Sequence, residues 1–356
     1  MSIRQLRLTH LRLACAGLLV LPWAAWAQSP LGLGQVLDAA SANLEVNISQ
    51  RNLEAARSDI LSADHAPLPV LSARASSIDL QNGIGGGNVW RDKKIDKGLG
   101  LDYTYERGNK RELRTRAAQS SARAAEQDLA QTRRQQLLLA SASYFDWLAQ
   151  IERLHHVQAV AQASRQQAQA AERRFKAGDL SKQDEMRWQI EARRAEADVP
   201  TAQAGVQRAV QTLRQITRLN TPTMGWSPAQ GWPIGSQDLA DPQQWPQRLS
   251  TWVNQRPDVI AAQERLDAAR NAVELAQSLK KSDITWGTSV DHYPGTSTRL
   301  LELRLQMPLQ WNYSYQGEIG RAQAMAMQSQ DVLEQTRAQA QTELNGLYPV
   351  SYTHLR

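Results

Sequence analysis

One stretch of this sequence, from Lys110 to Phe175, contains neither glycine nor proline. These two residues are the strongest helix breakers, so their absence predicts one continuous helix of roughly 100 Å at 1.5 Å per residue. An ordinary globular helix has only about three turns. A helix of this length favours a coiled coil or a similar array of long helices over a compact globular fold.

A tight turn is predicted at residues 175–184, where this helix ends. Gly178 can adopt the left-handed conformation that commonly ends helices. Ser181 followed by Asp184 is typical of a helix start, because the serine side chain can cap the free N–H groups of the first turn. A second long helix is expected to continue toward residue 219. The pattern therefore predicts a long helical hairpin with its tip at this turn.

The N-terminal segment is typical of a secretory signal peptide. A basic segment at 4–12 precedes an apolar run at 13–25, and Ala25-Trp26-Ala27 supplies the small-residue cleavage pattern. The run is too short for a membrane-spanning helix, which needs about 20 apolar residues. We therefore assign residues 1–27 to a signal peptide. Cys15, the only cysteine, lies within it, so the mature chain is expected to have neither a disulfide nor a thiolate metal site.

Four short segments alternate apolar and polar residues, and they form two pairs. The first pair is 68–80 with 98–107, and the second is 282–293 with 298–310. The segments suit the roughly 9–11 residues of a tilted transmembrane strand, with one face toward lipid and the other toward a wet lumen. The residues expected to face the lumen are Asp102, Glu106, Asp283, Asp291, Glu302 and Arg304. The residues expected to face lipid are Leu99, Leu101, Tyr103, Leu301, Leu303 and Leu305.

A soluble sheet with one solvated face would show the same alternation. The aromatic residues favour the membrane interpretation, because they cluster where a strand gives way to a helix and would form an interfacial girdle. They are Tyr103, Tyr105, Trp311, Tyr313 and Tyr315. Four strands cannot close a membrane barrel, which needs at least about eight. The open edges therefore predict an oligomer in which several copies share one barrel.

The two halves of the chain repeat one another. Residues 53–57 match residues 266–270, and the same alignment pairs Val46 with Val259. Each copy reads as a helix that leads into a strand pair, followed by another helix. Repeats of this length indicate that one supersecondary unit is used twice.

This order of elements, with its motifs, resembles the TolC family of outer-membrane efflux proteins over nearly all of the mature chain. The matching segments are 33–40, Ala56-Arg57 through Pro67-Leu68-Pro69, the turn 175–184, Arg256-Pro257-Asp258-Val259, and Met307-Pro308-Leu309 followed by Gln316-Gly317-Glu318-Ile319. The stretch from Met307 to Gly317 resembles the branch that includes cobalt–zinc–cadmium efflux channels.

The resemblance implies a mainly α protein with a small β part: long coiled-coil-like helical hairpins plus four transmembrane strands per protomer, in a trimeric α/β barrel. It implies a homotrimer in the outer membrane of a Gram-negative cell, with a large periplasmic part. Its partners would be a periplasmic adaptor protein and an inner-membrane pump. The expected function is a passive conduit for drugs, metal ions or other small solutes. The residues expected to contact the adaptor at the tip are Gly178, Asp179, Leu180, Ser181 and Asp184.

The sequence departs from the family pattern near its end. The domain organisation we expect is a first repeat at 28–219, a linker at 220–252 and a second, incomplete repeat at 253–346. Residues 347–356 break the helical pattern and are expected to be a non-native tail. The second hairpin tip of the family pattern has no counterpart here.

No motif for catalysis or for a cofactor is apparent. The net charge of +6 comes from arginines interleaved with acidic residues, as at 111–116, which is typical of solvated helix faces and not of a nucleic-acid site. His155 and His156 are adjacent on the helix and point about 100° apart, so they do not converge on a metal ion. The alternatives to an efflux channel are a type I secretion channel, a periplasmic adaptor or a structural coiled-coil protein.

Overall fold

A computed structural model describes residues 29–83, 85–88, 94–219, 226–229, 231 and 245–354, so the predicted signal peptide lies outside the described residues. The described helices are α1 Leu33–Ser41, α2 Leu44–Ala63, α3 Lys110–Lys176, α4 Lys182–Thr217, α5 Trp245–Asn254, α6 Pro257–Ser278 and α7 Gln316–His354. The described strands are β1 Ser29–Leu31, β2 Val70–Ser76, β3 Asp96–Tyr105, β4 Trp226–Pro228, β5 Ile284–Tyr293 and β6 Ser297–Gln306. None of the described helices combines the length and the apolar character that a bilayer-spanning helix needs.

Helix α3 occupies the stretch without helix breakers and is 67 residues long. Helices α2, α4 and α6 all pack along it. Many of its buried positions are small, including Ala122, Ala140, Ala161 and Ala171, which lets neighbouring helices approach closely. Most helical stability in proteins comes from such tertiary packing, so the neighbouring helices support the great length of α3.

The turn between α3 and α4 has the hydrogen bonds of a Schellman motif. Gly178 has a φ of +86°, and its N–H donates to the Phe175 carbonyl at 3.0 Å. The next N–H, of Asp179, donates to the Arg174 carbonyl at 2.9 Å. These two bonds satisfy carbonyls that the end of a helix leaves without a partner. Ser181 then caps α4, since its Oγ accepts the Asp184 N–H at 3.1 Å. A capped turn therefore joins α3 to α4.

The internal repeat is visible in the packing of α2 and α6. Val46 and Leu53 of α2 are buried in one cluster, and the aligned residues Val259 and Leu266 of α6 are buried in another. Each of these helices leads into a strand pair, β2–β3 after α2 and β5–β6 after α6. The repeated residues therefore place equivalent apolar contacts in both halves.

Strands β2, β3, β5 and β6 form one antiparallel sheet in the order β2-β3-β5-β6. The two halves of the chain join in the middle of the sheet, where β3 pairs with β5. Strands β2 and β6 are its edges.

A second, smaller sheet was missed by the sequence interpretation. The segment 220–252 was expected to be an irregular linker, but β4 lies within it and pairs in parallel with β1, and α5 begins at Trp245. The reason is burial: the Trp226 ring lies 6.5 Å from that of Trp147, and the apolar cluster around Trp147 draws the segment onto α3. The hydroxyl of Tyr144 in the same cluster donates to the Leu31 carbonyl at 3.3 Å.

Three predicted boundaries were also wrong. Strand β2 ends at Ser76 and not at residue 80, because Ser77 adopts a left-handed φ of 59° that does not continue a strand. Strand β6 ends at Gln306 and not at residue 310, since Pro308 has no N–H to donate to a ladder. Helix α7 continues through residue 347 to His354, where the sequence suggested that the helical pattern stops. The helical residues that precede this segment favour continuation of the same backbone conformation.

Candidate functional site

The four-stranded sheet has an inverted distribution of apolar and polar residues. Leu303 on one face is 78% exposed, whereas Asp291 on the opposite face is only 2% exposed. A soluble domain buries its apolar face, because removing apolar surface from water drives folding. The exposed apolar side chains on this face include Leu71, Leu99, Leu101, Trp286, Val290, Leu301, Leu303 and Leu305. This face therefore needs an apolar environment that a single copy does not supply.

The opposite, polar face carries an ion pair that spans three strands. Arg74 of β2, Gly98 of β3 and Asp291 of β5 lie in one cross-strand row. The Arg74 Nη2 lies 3.1 Å from the Asp291 Oδ1, directly over the glycine. A Cβ built at Gly98 would lie 2.1 Å from that carboxylate oxygen. Glycine is therefore required at this position if the two charged groups are to meet.

A second ion pair has the same geometry, with a glycine between the two charged residues. Asp102 of β3, Gly287 of β5 and Arg304 of β6 share another row. The Arg304 Nη2 lies 3.3 Å from the Asp102 Oδ1, and a Cβ at Gly287 would lie 2.0 Å from the same oxygen. Each ion pair thus joins an arginine on an edge strand to an aspartate two strands away. In both cases the pair passes over a glycine of the strand between them.

Polar contacts continue along this face. The Thr104 and Thr285 hydroxyls are 2.8 Å apart across the β3–β5 pair. The buried Ser289 Oγ donates to Asp291 Oδ2 at 2.6 Å. Between the two bridges lies a third row of Ser72, Gly100, Ser289 and Glu302. The face is therefore a network of hydroxyls and charged groups built around three glycines.

Two of the predicted lumen residues have a different local environment. The Asp283 Oδ1 accepts a hydrogen bond from the Lys110 Nζ at 2.7 Å and another from the Arg107 backbone N–H at 2.9 Å. Glu106 accepts the Arg114 guanidinium at 2.5 Å. Both carboxylates therefore tie the ends of the central strands to the first turns of α3. This part of the chain is the junction between the sheet and the long helices.

Aromatic side chains lie at this same junction. Trp311 is 85% exposed, and Tyr105 and Tyr313 are also exposed. The Tyr103 ring lies 6.0 Å from that of Trp286 on the apolar face, in an edge-to-face arrangement. An exposed aromatic group beside an apolar sheet face is the arrangement that favours a membrane–water boundary.

The hairpin tip places its predicted residues together on the surface. Gly178, Asp179 and Ser181 are exposed, and Leu180 is half-buried beside them. The sequence did not predict the burial of Glu185, which is only 2% exposed. Its carboxylate accepts the Lys182 Nζ at 2.5 Å and a hydrogen bond from Gln189. No pattern in the sequence distinguishes this buried acid from the exposed acids beside it.

The bridging glycines were also missed, and so was Arg74 as a site residue. Isolated glycines inside a strand often mark a close approach of other groups, so Gly98, Gly100 and Gly287 carried a usable indication. Among the described residues, no group of three or more His, Cys, Asp or Glu side chains is arranged to hold a metal ion.

Comparison with known proteins gives consistent relationships. A family model described as outer membrane efflux protein matches residues 37–217. The cobalt-zinc-cadmium resistance protein CzcC of Cupriavidus metallidurans is 25% identical over 306 residues, which cover 86% of this chain and 69% of that protein.

Solved structures share the fold. The Campylobacter jejuni CmeC outer membrane channel is similar with a TM-score of 0.68 at 15% identity, over 94% of this chain and 76% of that one. A membrane protein from Pseudomonas aeruginosa is similar with a TM-score of 0.69 at 18% identity, over 86% of this chain and 71% of that one.

Proposed function

The chain belongs to the outer membrane efflux protein family, and on this premise we propose that it is the channel subunit of a tripartite efflux system. In this role it is a passive conduit and not a catalyst. Solutes pass through its lumen, and an inner-membrane pump, coupled through a periplasmic adaptor, supplies the energy.

One observation carries the proposal: the sheet exposes its leucines and buries an aspartate. Lipid tails are a suitable environment for the apolar face, and pore water is suitable for the polar face. Leu99, Leu101, Tyr103, Leu301, Leu303 and Leu305 would then contact lipid. Asp102, Glu302 and Arg304 would line the lumen, and Asp291 would lie on the same face, covered by its bonds to Arg74 and Ser289. Glu106 and Asp283 would lie at the periplasmic end of the lumen. A periplasmic adaptor or a structural coiled coil has no need for such a sheet.

The sheet edges support a closed oligomer, which we propose to be the homotrimer that the family resemblance implies. Strands β2 and β6 leave unpaired backbone N–H and C=O groups, which cannot face lipid. Because β2 and β6 run in opposite directions in the sheet, β6 of one copy can pair antiparallel with β2 of the next. Closure of several copies around an axis removes all the edges.

The hairpin tip is the proposed contact with the adaptor. It is far from the sheet along α3, and its turn is fixed by the Schellman motif and by the Ser181 cap. Exposed Gly178 and Asp179, with Leu180 and Asp184 beside them, offer a small surface for a capped helical hairpin of a partner. Metal cations are the first cargo to test, because CzcC is a cobalt-zinc-cadmium resistance protein.

The test combines fractionation with conductance. The full chain is expressed with its N-terminal segment, and the outer membrane is examined for an oligomer that migrates slowly unless it is heated. The purified oligomer is then added to a planar bilayer. We expect an outer-membrane oligomer and discrete conductance steps. A monomer that stays in the periplasmic extract and conducts nothing would contradict the proposal.

A further inference from the structure

The charged groups on the polar face of the sheet are not equivalent. Arg74 is bonded to Asp291 and Arg304 to Asp102, so two positive and two negative charges are matched within a few ångströms. A matched pair acts at a distance as a dipole, whose field falls off faster than that of a single charge. Such pairs therefore contribute little net attraction for ions that pass at the centre of a pore.

Glu302 differs from these four residues. It lies in the row between the two bridges, opposite Ser289 of β5, and its side chain is exposed. Among the described residues, no hydrogen bond or ion pair within 4 Å engages its carboxylate. Arg74 lies within electrostatic reach of Glu302, but its guanidinium is hydrogen-bonded to Asp291. Together, Arg74, Asp291 and Glu302 thus carry one net negative charge.

One other acid shares this face at the hairpin end of β3. The Asp96 Oδ2 accepts the Ser77 hydroxyl at 2.5 Å. Asp96 pairs with Ser76 of β2 at the last position of the β2–β3 ladder, whereas Glu302 lies in a row that crosses all four strands. Glu302 is therefore at mid-height of the sheet and Asp96 at its rim.

We propose, on the basis of the proposed function, that Glu302 is the residue that gives the pore its preference for cations. One carboxylate from each subunit forms a ring of negative charge at mid-height of the lumen, where it raises the local concentration of cations and lowers that of anions. The two glycine-spanning bridges have the complementary role: they line the wall with polar groups, and the opposite charges cancel within each bridge. Inorganic and small organic cations are the class of solute that this ring favours.

The test measures reversal potentials across a planar bilayer with a KCl gradient around 0.1 M. We expect a cation-selective wild-type channel, and we expect Glu302→Gln to reduce the ratio of potassium to chloride permeability at least about twofold. Glu302→Asp keeps the charge and is the matched control, with a ratio close to wild type. The difference should shrink in 1 M salt, where the screening length falls from about 10 Å to about 3 Å.

Two further variants separate Glu302 from its neighbours. Arg74→Gln should increase cation preference, because the negative charge of Asp291 then has no positive partner to offset it. Asp96→Asn should change the ratio less than Glu302→Gln. If Asp96→Asn reduces the selectivity more than Glu302→Gln does, Asp96 at the rim sets the cation preference, and the proposal is overturned.

The outcomes also separate this inference from the proposed function. A conducting channel whose selectivity is the same with Glu302→Gln as in wild type overturns the role of Glu302 and leaves the channel function intact. Absence of conductance from the wild-type oligomer contradicts the channel function, and the role of Glu302 with it.

Discussion

The Arg74 Nη2 lies 3.1 Å from the Asp291 Oδ1, although strand β3 separates the strands that carry them. The pair forms only because Gly98, in the row between them, has no side chain. Asp102 and Arg304 repeat the relationship over Gly287. In both cases the bridge lies on the polar face, opposite an apolar face that is exposed.

Replacement of Gly98 by Ala should destabilise the assembled protein. Its Cβ would lie 2.1 Å from the Asp291 carboxylate, so the bridge must open or the strands must shift. Overpacking of this kind costs about 1–3 kcal/mol. The measurement is the temperature at which the detergent-resistant oligomer dissociates. Gly320→Ala is the control, because nothing lies within 4 Å of its Cβ position in helix α7, and it should leave that temperature unchanged or slightly raised. Equal effects of the two changes would contradict the steric argument.

A positive charge on the apolar face should be costly. Leu303→Arg places a guanidinium where we expect lipid, at a cost of about 2–4 kcal/mol near the bilayer midplane. Glu302→Arg, one residue away on the opposite face, should still assemble. The yield of folded oligomer in the outer membrane is the readout. If the two variants assemble equally well, the proposed orientation of the sheet is wrong.

Changes at the hairpin tip should uncouple the channel without unfolding it. Leu180→Glu introduces a charge into the proposed adaptor surface, so efflux-dependent tolerance of metal or drug should fall while the amount of oligomer stays constant. Leu180→Ile keeps the apolar surface and should retain tolerance. Normal tolerance of metal or drug with Leu180→Glu would show that the tip is not part of the adaptor contact.

The start of α6 should show a pH-dependent stability. Burial opposes ionisation of Asp258, but the Arg256 guanidinium at 2.6 Å outweighs it and lowers the pKa of that carboxyl below its ordinary value. The stabilisation is therefore fully present above the unfolded-state pKa of about 3.9 and is lost as the pH falls through the lower folded-state pKa.

The check on this linkage compares wild type with Asp258→Asn. We expect the variant to unfold at a lower temperature at pH 7, by a difference equivalent to about 1–3 kcal/mol for a hydrogen bond to a charged group. The difference should shrink as the pH falls below about 3.9 and vanish once the pH is below the folded-state pKa of Asp258. A difference that does not depend on pH would show that the Arg256–Asp258 pair contributes no proton-linked stability.

The elements with strong local patterns could be predicted from the sequence. Helix α3 follows from the absence of breakers after Lys110, and the tip follows from Gly178 and Ser181, since each of these effects acts within a few residues. The strand pairs follow from alternation with a period of two. The order of these elements, together with their motifs, then indicated the family.

The features that were missed depend on contacts between distant parts of the chain. Strand β4 forms because Trp226 packs against Trp147 of α3, and no local pattern around Trp226 indicates it. The Arg74–Asp291 bridge joins residues that are far apart in sequence, and only the strand register brings them together. Burial of Glu185 likewise depends on how α4 packs in the hairpin, which the helical pattern alone does not determine.

The central claim is that the two faces of the sheet lie in different environments, and single cysteines test it most directly. Cys15 is the only cysteine and lies in the predicted signal peptide, so a Cys15→Ser background allows Glu302→Cys and Leu303→Cys to be labelled one at a time in intact outer membranes. We predict that a charged, water-soluble maleimide labels the cysteine at 302 and reduces conductance, whereas the cysteine at 303 reacts only with a lipid-soluble reagent. Equal labelling of both positions by the water-soluble reagent, or the reverse pattern, would contradict the account.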